Sequence, residues 1–132
     1  MLEQARAELP NECCGMLAGI LDTSDPKRPT GKVLRRYPLA NALASPKEYK
    51  SEPKILFAAV KDMRQEGTDL LAIYHSHPTS EPVPSKKDRE RNWYGTDVMH
   101  LIVSLHGEPP TVRGWWIGEA QTQEAEWEVV GE

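Results

Sequence analysis

Between Tyr74 and Asp88 the chain reads YHSHPTSEPVPSKKD. His75 and His77 stand two residues apart, and Ser85 and Asp88 follow beyond a loop holding Pro78, Pro82 and Pro84. In an extended chain, side chains at i and i+2 share a face, so the two imidazoles point together while Ser76 points back. Two imidazoles on one rigid strand end supply two ligands for a borderline cation such as zinc. A third protein ligand would leave one position for water. Asp88 can be that third ligand if the loop folds back, and ten residues separate it from His77. Each piece also has a plainer reading. S-x-x-D at Ser85 and Asp88 is a capping box that needs no metal. A histidine pair at a strand end can be two solvated polar side chains. The readings of Ser85 and Asp88 are compatible, because a cap that fixes a helix start also aims the Asp88 side chain.

The elements around this stretch have to carry it. "DLLAIYHSH" (69–77) reads as a central apolar strand that ends at the histidines. "SKKDRERNWYG" (85–95) reads as a helix with Ser85 as N-cap. "PKILFAAVKDMRQEG" (53–67) predicts a helix that starts near Glu52 or Pro53 and stops at Gly67. Its Ile55, Leu56, Ala59, Val60 and Met63 recur at the helical period. "LEQARAELP" (2–10) is a short helix ended by Pro10. "CCGMLAGIL" (13–21) is a buried strand whose two glycines imply a close backbone approach. "DTSDPKRPTG" (22–31) carries turn signals, and "KVLRRYPLAN" (32–41) is a strand that Pro38 places at an edge or a bend. "ALASPKEYKSEP" (42–53) is irregular; "VMHLIVSLH" (98–106) is a buried strand; "TVRGWWIG" (111–118) and "AEWEVV" (125–130) read as the final strands. Strands and helices alternate without a full βαβ rhythm. The expected class is α/β of the mixed α+β type: a single-domain mixed sheet over residues 1–132, flanked by helices.

Composition narrows the function classes. A chain of 132 residues suits one domain with one core. No apolar run approaches the ~18 residues of a membrane span. The start "MLEQARAELP" lacks the apolar stretch of a secretory signal. A net charge of −4 with both signs interspersed argues against a nucleic-acid binder. The only cysteines, Cys13 and Cys14, are adjacent. Neighbours in a strand point to opposite faces, so a bond between them would be strained. A reducing, cytoplasmic setting follows. The two thiols read as small side chains in a buried strand, with metal binding or reactivity as the alternative. His100 lies in an apolar strand and His106 precedes Gly107, neither at ligand spacing to the first pair. Trp115 and Trp116 face opposite sides of a strand, one in the core and one on a surface groove. Trp93 continues the helix after Asp88 as a core residue.

The combination is more specific than its parts. H-S-H, seven residues, S, two residues, D closely resembles the signature of the JAMM metalloproteases, the MPN+ or JAB-domain family. The match runs through His75, Ser76, His77, the residues Pro78 to Pro84, Ser85 and Asp88. The family also requires a glutamate just ahead of its first strand, and "PNECCGMLAG" puts Glu12 there. "PLAN" with "SPKEYKSEPK", and "HLIVSL" with "VRGWWI", resemble the family's middle and final sections.

The resemblance implies an MPN/JAB fold, cytidine-deaminase-like, and a set of roles. His75, His77 and Asp88 would bind one Zn2+ per chain, with water as fourth ligand. Glu12 would accept the water's proton and deliver it to the leaving amine, and Ser85 would hydrogen-bond the oxyanion. Ser76, pointing away, would support the loop. Family members cleave after the Gly-Gly tail of ubiquitin-like proteins. This compact chain, without large insertions, is similar to the small stand-alone prokaryotic type. That type implies a ubiquitin-like sulfur carrier as partner, losing a cysteine or a C-terminal extension. Two other readings stay open: a non-catalytic scaffold of the same fold, and a zinc hydrolase acting on small amides. A homodimer stays open too.

Overall fold

The computed structural model describes residues 1–24, 30–92, 95, 97–118 and 121–129. Its elements are α1 (Leu2–Ala7), β1 (Cys14–Asp22), β2 (Thr30–Leu39), α2 (Pro53–Glu66), β3 (Asp69–His77), α3 (Lys86–Glu90), β4 (Met99–Ser104), β5 (Thr111–Ile117) and β6 (Thr122–Ala125). The strands form one mixed sheet in the order β2-β1-β3-β4-β5-β6. β3 and β4 run parallel, joined through α3; the other neighbours are antiparallel. One βαβ unit is therefore embedded in the chain, at the place where the histidine pair lies.

Alternation along the strands sorts side chains onto two faces. Cys14, Met16, Ala18 and Ile73 pack with Ala59 and Met63 of α2. Cys13, Leu17, Ala72, Tyr74 and Leu101 pack on the other face with Ala5 of α1. The adjacent cysteines thus face opposite ways, both free and buried. Burial pushes both thiols up, Cys14 to about 12, so neither is poised to react. β2 forms one edge of the sheet, where Pro38 is tolerated. The expected close approach in β1 occurs at both glycines: a Cβ would clash with Tyr74 Cζ at Gly15 and with the Lys32 carbonyl oxygen at Gly19.

α2 starts where expected. Glu52 is its N-cap, accepting the Ile55 amide at 2.9 Å, and Gly67 ends it with φ 68°. Its apolar stripe is narrower than its period implies: Ala59 and Met63 are buried while Ile55 is exposed. Two other expectations need correction. The helix after Ser85 spans only Lys86–Glu90, with Arg91 as C-cap. Beyond it, the Asn92 side chain donates to the carbonyls of Ile117 and Gly95. Trp93 lies outside the described residues. The last strand is Thr122–Ala125, and the chain from 126 to 129 has no strand partner among the described residues. The Gly118 amide bonds the Gln121 carbonyl, so pairing with β5 begins at once with Ile117 opposite Thr122. A polar segment took the pairing that the apolar pattern had placed later.

Candidate metal and catalytic centre

Parallel β3 and β4 end on the same side of the sheet, and such carboxyl ends are where open sheets build sites. His75 and His77 are the last two residues of β3 on the face that α2 covers, both buried. The Tyr49 ring stacks on His75 with centroids 4.7 Å apart and an interplanar angle of 24°.

The loop after His77 is pinned from three strands. His77 Nδ1 lies 2.7 Å from the Glu81 carbonyl, Ser104 Oγ donates to the Ser80 carbonyl at 2.6 Å, and Trp115 Nε1 donates to the Pro82 carbonyl at 2.8 Å. The loop then delivers Ser85 to the start of α3. There Ser85 Oγ accepts the Asp88 amide at 3.1 Å, while Asp88 Oδ2 accepts the Ser85 amide at 2.9 Å. The capping box read from the sequence is formed, and it turns Asp88 toward the histidines.

Three atoms converge. His75 Nε2, His77 Nε2 and Asp88 Oδ2 lie 3.1 Å from one another. Tetrahedral zinc with bonds of ~2.0–2.1 Å needs ligand atoms roughly 3.3 Å apart, so the triangle fits such an ion closely. The tautomers point the same way. A hydrogen on His77 Nδ1 satisfies the Glu81 carbonyl, which leaves a neutral His77 with its Nε2 lone pair facing the other two atoms. Three acceptors facing one point call for a positive charge there, either a proton or a metal dication. The groups respond accordingly. Burial raises the Asp88 carboxyl, but the imidazoles of His75 and His77 and the Ser85 amide outweigh it and hold Asp88 well below the usual range. Burial lowers His77, but its bonds to Asp88 and Glu81 outweigh that, so it is raised. These three side chains can hold a metal ion.

Glu12 is buried beside this cluster but does not converge with it. Its Oε1 finds no hydrogen-bond partner among the described residues. Burial pushes its carboxyl up to about 8, against the pull of nearby His77. Ser76 anchors the residue that follows Glu12. The Ser76 Oγ accepts the Cys13 amide at 2.7 Å, and the Ser76 amide donates to the Cys13 carbonyl at 3.1 Å. The residue after Glu12 is therefore tied directly between the two histidines on the opposite face of β3.

A groove of about 1140 Å³ opens from Asp88 and His100 along the loop before α2 and the outer face of α2. Phe57 is exposed in it, and Lys50, Lys61, Arg64, Lys87 and Arg91 give it a basic lining within an acidic chain. His100 is buried in β4, lowered to about 4 by burial, and its Nε2 lies 3.1 Å from Asn92 Oδ1. It stays outside the converging cluster, as its spacing implied. Trp115 is the buried member of the tryptophan pair and Trp116 is half-buried. Tyr49, Glu48 and Asn41 were not legible as site residues. Only Asn41 carried a local signal, an asparagine at the point where a strand gives way to an irregular segment, and there its side chain commonly bonds loop backbone.

A family model described as prokaryotic homologs of the JAB domain matches residues 1–118. A desampylase of Haloferax volcanii is 37% identical over 107 residues, covering 80% of this chain and 70% of that protein. A probable TtuB-protein conjugate cleaving protease of Thermus thermophilus is 35% identical over 82% of this chain and 74% of that protein. A CysO-cysteine peptidase of Mycobacterium tuberculosis is 32% identical over 67% of this chain and 56% of that protein. The solution structure of a Desulfitobacterium hafniense protein superposes with a TM-score of 0.82 at 37% identity, over 96% of this chain and 83% of that one.

Proposed function

The chain belongs to the family of prokaryotic homologues of the JAB domain, and on that premise we propose that it is a zinc-dependent peptidase or isopeptidase, with residues 1–132 as one metalloprotease domain. Its substrate in this reading is a ubiquitin-like sulfur carrier, cut after the C-terminal Gly-Gly. The observation that carries the reading is the 3.1 Å triangle of His75 Nε2, His77 Nε2 and Asp88 Oδ2 beside an unpartnered, buried Glu12 oxygen. The relatives support the substrate class, being named for desampylation, conjugate cleavage and release of cysteine from a carrier.

His75, His77 and Asp88 would hold the zinc, leaving a fourth position open. Zinc there supplies Lewis acidity, which polarises a carbonyl and makes water a nucleophile near neutral pH. Glu12 takes the proton from the attacking water onto its carboxylate and passes it to the departing amine. Its place beside the cluster, without a ligand's convergence, suits that task. Ser85 Oγ already accepts the Asp88 amide, so its own hydrogen is free to donate to the oxyanion of the tetrahedral intermediate. Ser76 keeps Glu12 in register with the histidines. The body of the carrier would rest over the basic groove while its tail reaches the strand ends. Two buried free thiols suit a reducing cytoplasm. No helix among the described residues is long and apolar enough to cross a membrane.

Incubation of the zinc-loaded protein with carriers ending in Gly-Gly-Cys, or joined through Gly-Gly to a lysine, tests the assignment by mass spectrometry. Cleavage after the second glycine is expected. Alanine at that glycine should slow it strongly, because only a residue without Cβ lets the backbone approach closely. Good hydrolysis of small amides with no cleavage of either carrier would overturn the substrate class.

A further inference from the structure

We propose that Asn41 is the positioning residue of Glu12, an inference that rests on the proton-transfer role given to Glu12 above. Glu12 lies outside the sheet, between α1 and the first residue of β1. Ser76 of β3 ties the residue that follows, Cys13, but no strand among the described residues bonds the Glu12 amide or carbonyl. The segment after β2 does so instead. The Glu12 amide donates to the Ser45 carbonyl at 2.8 Å, and the Glu12 carbonyl accepts from Asn41 Nδ2 at 3.1 Å. The same Nδ2 faces the carbonyls of Glu48 at 3.1 Å and Ser45 at 3.5 Å. Asn41 Oδ1 accepts the amides of Leu43 and Lys50, each at 3.1 Å. Carbonyls surround one end of the side chain and amides the other, so both a donor and an acceptor are required at this position.

The consequence reaches past Glu12. The loop that Asn41 organises carries Tyr49, stacked on His75. It also carries Glu48, whose Oε2 meets Lys87 Nζ at 2.6 Å and Arg91 Nη1 at 3.4 Å. Lys87 belongs to α3, whose first turn bears Asp88. One short side chain thus ties the proton carrier to a loop that touches both a histidine and the helix of the third ligand. A longer glutamine would carry the amide beyond these partners. An aspartate would keep the Oδ1 contacts but present a carboxylate oxygen to three carbonyls, with no hydrogen to donate.

The test uses Asn41→Asp and Asn41→Ala in the full chain. Both should keep zinc stoichiometry close to wild type, and KM for a short Gly-Gly peptide that does not reach the groove should change little. Turnover should fall on the order of tenfold to a hundredfold, the effect of misplacing a reacting group by about an ångström. In a Glu12→Gln background the Asn41 substitutions should cost little more, since there is no base left to position. An additive loss in that background, wild-type turnover, or loss of zinc and fold by both variants would overturn the proposal. A crystal structure of zinc-loaded Asn41→Asp needs no substrate. It should show Glu12 shifted off Ser45 with the His75, His77 and Asp88 triangle intact; an unmoved Glu12 would also overturn the proposal. Should the wild type cleave no carrier, the proposed function fails, while this structure still decides whether Asn41 places Glu12.

Discussion

Asp88 and Ser85 hold each other at the first turn of α3. Each accepts the other's backbone amide, at 2.9 Å onto Asp88 Oδ2 and at 3.1 Å onto Ser85 Oγ. The Asp88 oxygen used for the cap is also the oxygen that faces both histidines. Helix start and the cluster of His75, His77 and Asp88 are therefore one structure.

That double use separates two substitutions. Asp88→Asn can still accept the Ser85 amide but offers a neutral, weaker ligand oxygen. It should lower zinc affinity strongly while leaving the melting temperature of the metal-free protein nearly unchanged. Asp88→Ala should lose zinc as well and also cost about 1 kcal/mol from the helix start. Elemental analysis and thermal melts in chelator read the two effects. Undiminished zinc binding by both variants would remove Asp88 from the ligand set.

The Glu12 carboxyl, pushed up to about 8 by burial, predicts a pH-dependent stability in the metal-free protein. An unfolded glutamate titrates near ~4.3. Between these values the folded protein holds a proton that the unfolded chain has released. The contribution is fully present below the unfolded value and is lost as pH rises through about 8. Glu12→Gln mimics the neutral form and lacks this slope. Melts in chelator from about pH 5 to 9 should show wild type losing ground to Glu12→Gln by at least about 1 kcal/mol. His77 is raised too and adds a slope of the same sign, which the difference between the proteins largely removes. Zinc should flatten the wild-type curve, because a nearby dication favours the carboxylate. Parallel curves for the two metal-free proteins would mean that Glu12 titrates normally.

The groove predicts a substrate-size effect. Lys50, Lys61 and Arg64 line it, and their side chains form no ion pair among the described residues. A carrier with an acidic face would gain most from these charges. Lys61→Glu with Arg64→Glu should raise KM for a whole carrier conjugate on the order of tenfold, and added salt should raise the wild-type KM in the same direction. A short Gly-Gly peptide, too small to cover α2, should be cut equally well by both proteins. Equal losses on the two substrates would place the effect in the site rather than in docking.

Local rules were enough for α2, because a proline start, a capping side chain and a glycine stop all lie within the segment itself. They were enough too for the facing of His75 and His77, which follows from the pleat of any strand. Ser85 and Asp88 were legible as a cap for the same reason: the bonds join residues three apart. The amino-acid sequence by itself thus determined α2, the start of α3, most strands and the residues eligible for a metal. The convergence was decided elsewhere. Trp115, Ser104 and His77 itself pull the loop carbonyls of Pro82, Ser80 and Glu81 into place, and two of those donors come from strands well beyond the motif. The site of Glu12 depends on Ser76 and Asn41, 64 and 29 residues away, through bonds that no local periodicity encodes. The partner of β5 is Thr122–Ala125, with the Gly118 amide bonded to the Gln121 carbonyl, against the hydrophobic pattern. Backbone preference acts within a few residues, so it places a side chain on a face. Bringing two such faces to one point takes hydrogen bonds between distant segments, and these exist only once the sheet has assembled.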